Sequence, residues 1–145
     1  MKRLIAAALF VASPALAGDV VSYDTEQSFD DVIFGLESAI IDEGLVVDHV
    51  SHTGEMLERT RGDVGSEVVL FDAADVYSFC SAALSRAVME ADPMNIGFCP
   101  YTIFVMVRHD APTTTTIGFR AYPEGEMQQI QELLDRIARS AIGQD

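Results

Sequence analysis

The stretch Ile103-Phe104-Val105-Met106-Val107 decides the fold, because it is apolar at every position. It lies at the centre of the longest strand the sequence offers, Ile96 to His109. A strand sends successive side chains to opposite faces, so five apolar residues in a row leave neither face polar. Such a strand is central in its sheet, or its second face is covered by a helix or another subunit. Downstream, the Asp110-Ala111-Pro112-Thr113 turn leads into Thr114 to Tyr122. There Ile117, Phe119 and Ala121 alternate with Gly118, Arg120 and Tyr122, the period-two pattern of a half-buried strand. The two strands are expected to form a hairpin.

Upstream and downstream of this pair the pattern becomes helical. Asp19 to Thr25 is a short first strand, and Ser28 caps a helix whose first turn carries Asp30 and Asp31. Phe29, Val32, Ile33, Leu36 and Ile40 follow helical spacing, with Gly44 at the C′ position. Leu45 to Ser51 is the second strand, Thr53 to Arg59 a short helix, and Glu67 to Phe71 the third strand. A helix rich in small residues is expected over Asp75 to Ala91, closed by Asp92-Pro93. Met127, Ile130, Leu134, Ile137 and Ala141 make the stripe of a final helix ending at Gly143. The order β-α-β-α-β-α-β-β-α points to a two-layer α/β (α+β) sandwich with a mixed sheet of about five strands. No Gly-rich loop follows the first strand, which argues against a doubly wound nucleotide fold.

Met1 to Ala17 reads as a cleavable secretory signal. Lys2 and Arg3 precede the apolar run Leu4 to Ala12, Ser13-Pro14 breaks it, and Ala15-Leu16-Ala17 has the small-x-small form of a cleavage site. The run is too short for a bilayer, which needs about 20 apolar residues. A single domain, residues 18–145, then resides in the periplasm or is secreted. Cleavage leaves seven arginines and no lysine against 23 acidic residues, a net charge of −16. That charge repels nucleic acid and anionic membranes.

The same layout resembles that of the DUF302 family, small bacterial α/β domains with no established activity. Ser28-Phe29-Asp30-Asp31-Val32-Ile33-Phe34-Gly35-Leu36-Glu37-Ser38-Ala39-Ile40 resembles the family's first helix, and Gly44-Leu45 follows as it does there. His52 stands where the family usually carries a histidine. Val69-Leu70-Phe71 resembles the strand entering its central motif, Met89 the methionine closing that motif, and Pro100 the proline opening the long strand. Many members have a Phe-Gly-Asn-Pro-Lys type of turn after the former strand. Here Phe71 is followed by Asp72-Ala73-Ala74-Asp75, then by Phe79-Cys80-Ser81-Ala82 and Ser85-Arg86. The chain looks like a cysteine-containing branch, and the resemblance implies the fold rather than a chemistry.

Cys80 and Cys99 are the only cysteines. In an oxidising compartment an even pair first suggests a disulfide. With Cys80 on a helix, the chain rises about 18 Å to Asp92 and returns roughly 13 Å from Asn95 to Cys99, so the sulfurs reach similar levels. Such a bridge adds about 3 kcal/mol. A second reading makes Cys80 a reactive thiol in the first turns of its helix, with Arg86 reaching back toward it and Asp72 and Asp75 opposing. A third makes Cys80, Met89, Met94 and Cys99 soft ligands for copper, or takes Cys99-Pro100 as a haem-responsive dipeptide. His49 and His52 point to opposite strand faces, and His109 is read as a solvated turn residue. His52, Arg86, Met89 and Tyr101 form the candidate pocket. No hydrolase pattern occurs: neither Gly-x-Ser-x-Gly nor His-Glu-x-x-His is present. The leading expectation is therefore a non-enzymatic binding or accessory domain, held by a Cys80–Cys99 bridge and dimeric through an uncovered sheet face. Its rival is a thiol-based redox or sulfur-handling protein.

Overall fold

A computed structural model describes residues 19–144; the expected signal, Met1 to Ala17, lies outside the described residues. The elements run β1 (Val20–Thr25), α1 (Phe29–Asp42), β2 (Val47–Ser51), α2 (Thr53–Thr60), β3 (Phe71–Phe79), α3 (Ala82–Ala91), a 3₁₀ turn (Pro93–Phe98), β4 (Tyr101–Arg108), β5 (Thr115–Arg120) and α4 (Gln128–Ala141). The expected order of strands and helices holds, with the 3₁₀ turn added. One five-stranded sheet has the order β1-β5-β4-β3-β2, and β4 is its middle strand. Every pairing is antiparallel, which corrects the expectation of a mixed sheet. α1 crosses between β1 and β2, which run in the same direction at opposite edges of the sheet, while α2 and α3 join antiparallel neighbours, so no two adjacent strands are parallel.

Alternation along β4 divides the sheet into two unlike faces. Tyr101, Ile103, Val105 and Val107 point into the core with Tyr77, Phe79, Ile117 and Phe119. Two helices cover this face. α1 buries Val32, Leu36 and Ile40, and α4 buries Ile130, Leu133, Leu134, Ile137 and Ala141. Ser28 caps α1 by accepting from the Asp31 N–H, and its hydroxyl donates back to the Asp31 carboxylate at 2.6 Å. Gly44, at φ +74°, turns the chain out of α1 as expected. The two helices cross closely at Gly35, where a Cβ would run into the carbonyl oxygen of Ala141. Tyr23 donates to Asp135, and Arg136 meets Glu43 at 3.2 Å, tying α4 to β1 and α1.

The opposite face carries Thr102, Phe104 and Met106 of β4, all half-buried, beside Thr116 and Gly118 of β5 and Ala74 and Val76 of β3. Among the described residues no helix crosses it over β4 and β5. The Phe104 ring lies against Gly118, where a Cβ would stand 2.7 Å from its Cζ. The uninterrupted apolar run thus reflects both a central position and a second face left open.

One region departs from the expected boundaries. The third strand begins at Phe71 and runs to Phe79, and the following helix starts at Ala82 rather than Asp75. Val76-Tyr77-Ser78-Phe79 is a β-branched and aromatic alternation that buries Tyr77 and Phe79, and that burial outweighs the helical spacing of the small residues after it. Glu67 to Leu70 stays outside the ladder. Ser81 is the helix cap. The long strand is shorter than expected at its start, because Asp92 caps the 3₁₀ turn through the Met94 N–H and Pro100 has no N–H to give the ladder. No helix of the described residues is long and apolar enough to cross a membrane.

Candidate functional site

Both cysteines lie at one end of the β3–β4 ladder. The last pair is Phe79 with Tyr101, so Cys80 leaves β3 just as Cys99, through a cis peptide to Pro100, enters β4. This is a different route from the one expected. Cys80 ends a strand and precedes the helix cap, whereas the sequence placed it within the helix. The sulfurs nevertheless meet, with Sγ to Sγ 2.6 Å. Between them the chain makes α3 and the 3₁₀ turn, an arm anchored by Val88 in the core and by Asn95, whose side chain donates to the Val88 carbonyl at 2.8 Å.

Aromatic rings enclose the pair. Tyr101 is fully buried and shares a 3.0 Å hydrogen bond with the Ser85 hydroxyl. Tyr122 packs edge-on to Tyr101 at 6.1 Å and tilted against Phe98 at 5.8 Å. Burial pushes the Cys80 thiol up to about 11; its contact with Cys99 and the Asp48 carboxylate add to this, and the Tyr101 backbone N–H partly offsets it. Burial likewise raises Tyr101, and it pushes Tyr122 up to about 12. Cys99 differs from its partner in lining a small surface cleft of about 150 Å³ with Phe98, Pro100, Thr102, Arg120 and Tyr122.

At the other end of β3 two histidines meet two aspartates. His52, at the start of α2, places Nδ1 3.0 Å from the Asp75 carboxylate. His109, just past β4, places Nδ1 2.7 Å from Asp72. A cleft of about 590 Å³ opens here between α2 and the start of β3, lined by Phe29, His52, Glu55, Arg59, Asp72 and Asp75 among others. Gly54 forms part of its wall, where a Cβ would stand 2.8 Å from the Ala74 nitrogen. Both imidazoles are more than half exposed, so each pair contributes at most about 1 kcal/mol. Among the described residues no serine, threonine or cysteine is hydrogen-bonded to either ring.

The four residues expected to share a pocket are thus separated. His52 stands at the α2 end, while Tyr101 lies beneath the cysteines. Met89 packs against the core from α3. Arg86 projects from α3 into solvent and pairs with Glu90 at 2.8 Å, so it does not assist Cys80. Asp72 and Asp75 belong to β3 and its histidine partners; the carboxylate acting on Cys80 is Asp48. Met94 is 77% exposed on the 3₁₀ turn, away from the enclosed sulfurs. No three His, Cys, Asp or Glu residues among those described converge to hold a metal ion.

Sequence reading missed the two His–Asp pairs and the Arg120–Tyr122 cleft. The first followed from ending β3 too early, since Asp72 and Asp75 reach the histidines only as strand residues. The second joins residues on β5, β4 and the 3₁₀ turn, a juxtaposition that depends on strand order.

The family model described as "Domain of unknown function DUF302" matches residues 21–141. A solved structure of the same kind, an uncharacterized conserved DUF302 protein from Bacillus stearothermophilus, is similar to this chain with a TM-score of 0.60. That likeness covers 85% of this chain and 92% of the other at 17% identity, and at that identity it is a likeness of fold. No curated protein matches.

Proposed function

The chain belongs to the DUF302 family, and on that premise we propose that it is a non-enzymatic binding or accessory domain, exported to the periplasm or secreted, whose Cys80 and Cys99 form a structural disulfide. The observation that carries this reading is the 2.6 Å approach of the two sulfurs at the base of the α3 arm. A bridge there fastens both ends of a long excursion to the ladder it leaves, worth about 3 kcal/mol on the chain-entropy scale. The enclosing tyrosines fit the same role, since a thiol that burial drives toward its neutral form is a poor nucleophile. The rival in which Cys80 is an activated thiol lacks its helix-start position, its arginine and its lowered ionisation.

The test is alkylation of the native protein without reductant, followed by intact mass. No added mass before reduction, and two alkyl groups after it, is the expected result. Two thiols labelled at once in protein drawn from its oxidising compartment would remove the bridge from the reading.

The open face supports a second element of the proposal, that the partner bound is another copy of this chain. On β1, β5, β4 and the paired length of β3 this face presents a single carboxylate, Asp24, and that one accepts from Thr116 at 2.6 Å. In a domain of charge −16, two copies approach with least repulsion here.

A further inference from the structure

We propose that thiol–disulfide exchange at this pair runs through Cys99, and that the cleft beside Cys99, with Arg120 in its wall, receives small acidic disulfides and thiols. This rests on the reading of Cys80 and Cys99 as a bridging pair and adds to it a direction and a substrate class.

Three observations lead there. Cys99 lines the cleft and Cys80 does not, so an incoming sulfur approaches Cys99 over the surface formed by Phe98, Pro100 and Tyr122. Among the described residues Arg120 is the only charged one of that lining, and Thr102 supplies a hydroxyl. On a protein with 23 acidic residues, a cleft whose sole charge is positive is where a carboxylate-bearing molecule meets attraction. Finally, Cys80 is held back as a nucleophile. Burial, the Cys99 thiol and Asp48 all favour the protonated form of Cys80.

The Cys99 thiolate attacks one sulfur of a small disulfide, forming a mixed disulfide and releasing the other sulfur as a thiolate that takes up a proton. Cys80, after giving its proton to solvent, attacks Cys99 Sγ; the Cys80–Cys99 bond forms and the second small thiolate leaves. Two electrons pass from the protein dithiol to the small disulfide, which becomes two thiols. In reverse, an external thiolate attacking Cys99 must expel the Cys80 thiolate, whose high proton affinity makes it a slow leaving group. The bridge is therefore made through the cleft and lost with difficulty, as a structural bond requires.

The test uses reduced full-length mature protein with glutathione disulfide as the acidic probe and hydroxyethyl disulfide as the neutral one, quenched with acid and weighed. Cys80→Ser is expected to accumulate a mixed disulfide on Cys99. Cys99→Ser should form its adduct several-fold more slowly, because Cys80 does not line the cleft. Arg120→Gln should slow glutathione disulfide roughly two- to fivefold, the range one exposed charge pair supplies, and leave hydroxyethyl disulfide unchanged. Limiting iodoacetamide on the reduced wild type, mapped by peptide, keeps the question open to failure if the serine variants do not fold: Cys99 should be labelled ahead of Cys80. Equal or inverted labelling, or equal adduct rates in the two variants, overturns Cys99 as the sulfur attacked first. Equal slowing of both probes by Arg120→Gln overturns the acidic substrate class. Adduct at Cys99 in wild type without later bridging would instead defeat the disulfide reading while leaving Cys99 the reactive sulfur.

Discussion

The two faces of this sheet use the same five strands and do opposite things. Under α1 and α4, Tyr101, Ile103, Val105 and Ile117 are fully buried. One residue along β4, Thr102, Phe104 and Met106 are only half-buried, with no helix of the described residues over them. Apolar character does not separate Val105 from Met106. What separates them is which face the two amphipathic helices can reach. The covered face therefore holds the folding energy, and the open one is free for a partner. Substitutions can press on this difference, beginning with those that cost most.

Leu134→Ala removes a fully buried side chain where α4 meets the core, and is expected to cost about 2–5 kcal/mol in urea denaturation. Gly35→Ala comes next. Its new methyl group meets the Ala141 carbonyl at the crossing of α1 and α4, and the helices must part by repacking, at about 1–3 kcal/mol. A Gly35→Ala protein as stable as wild type would show that the helix layer is looser than this crossing implies. On the open side Phe104→Ser should cost the monomer less, about 1 kcal/mol, because the ring is only half-buried over Gly118. Its larger effect is on association: sedimentation of the wild type should show a mass that doubles with concentration, and Phe104→Ser should hold it at the monomer. A wild type that stays monomeric at every concentration ends the self-pairing proposal.

Much of this division was legible in the chain. The apolar run Ile103 to Val107 marked the central strand and its second apolar face, and the stripes of α1 and α4 marked what covers the first. Pairing direction was not legible, because alternation says which face a side chain takes and nothing about whether neighbouring strands run together or against one another. The β3 boundary was hidden for a local reason: Asp75 to Phe79 carries strand-forming residues directly before a small-residue helix, and only burial of Tyr77 and Phe79 decides between them. The approach of the two sulfurs was legible despite that error, because Cys80 and Cys99 flank the same excursion whether Cys80 ends a strand or begins a helix. The site residues fared differently. His52 and Tyr101 were both singled out, yet they sit at opposite ends of β3, and no spacing in the sequence reports that.

The smallest effect expected is also the most selective for the covered face. Tyr77 lies under α1, where burial foremost, then the charges of Glu37 and Asp75, push its phenol up to about 12 from an ordinary 10. Its hydroxyl donates to Glu37 at 3.3 Å, a bond that ionisation destroys. Because the folded-state value lies above the unfolded one, the unfolded chain loses this proton first. The contribution is whole below about pH 10 and declines as pH rises toward 12. Of the four tyrosines, Tyr23, Tyr77 and Tyr101 project to the covered side of their strands, and Tyr122 follows β5 beside Tyr101 and Phe98. The part of an alkaline loss of stability that Tyr77→Phe removes is then a report on that side. Urea midpoints measured upward from pH 8 should hold level and then fall beyond pH 10, and Tyr77→Phe should lower the level range, by about 1 kcal/mol for the lost bond to Glu37, and make the fall shallower. If Phe104→Ser flattened the fall as much as Tyr77→Phe, the two faces would be coupled in folding, and the separation between them would lose its energetic meaning.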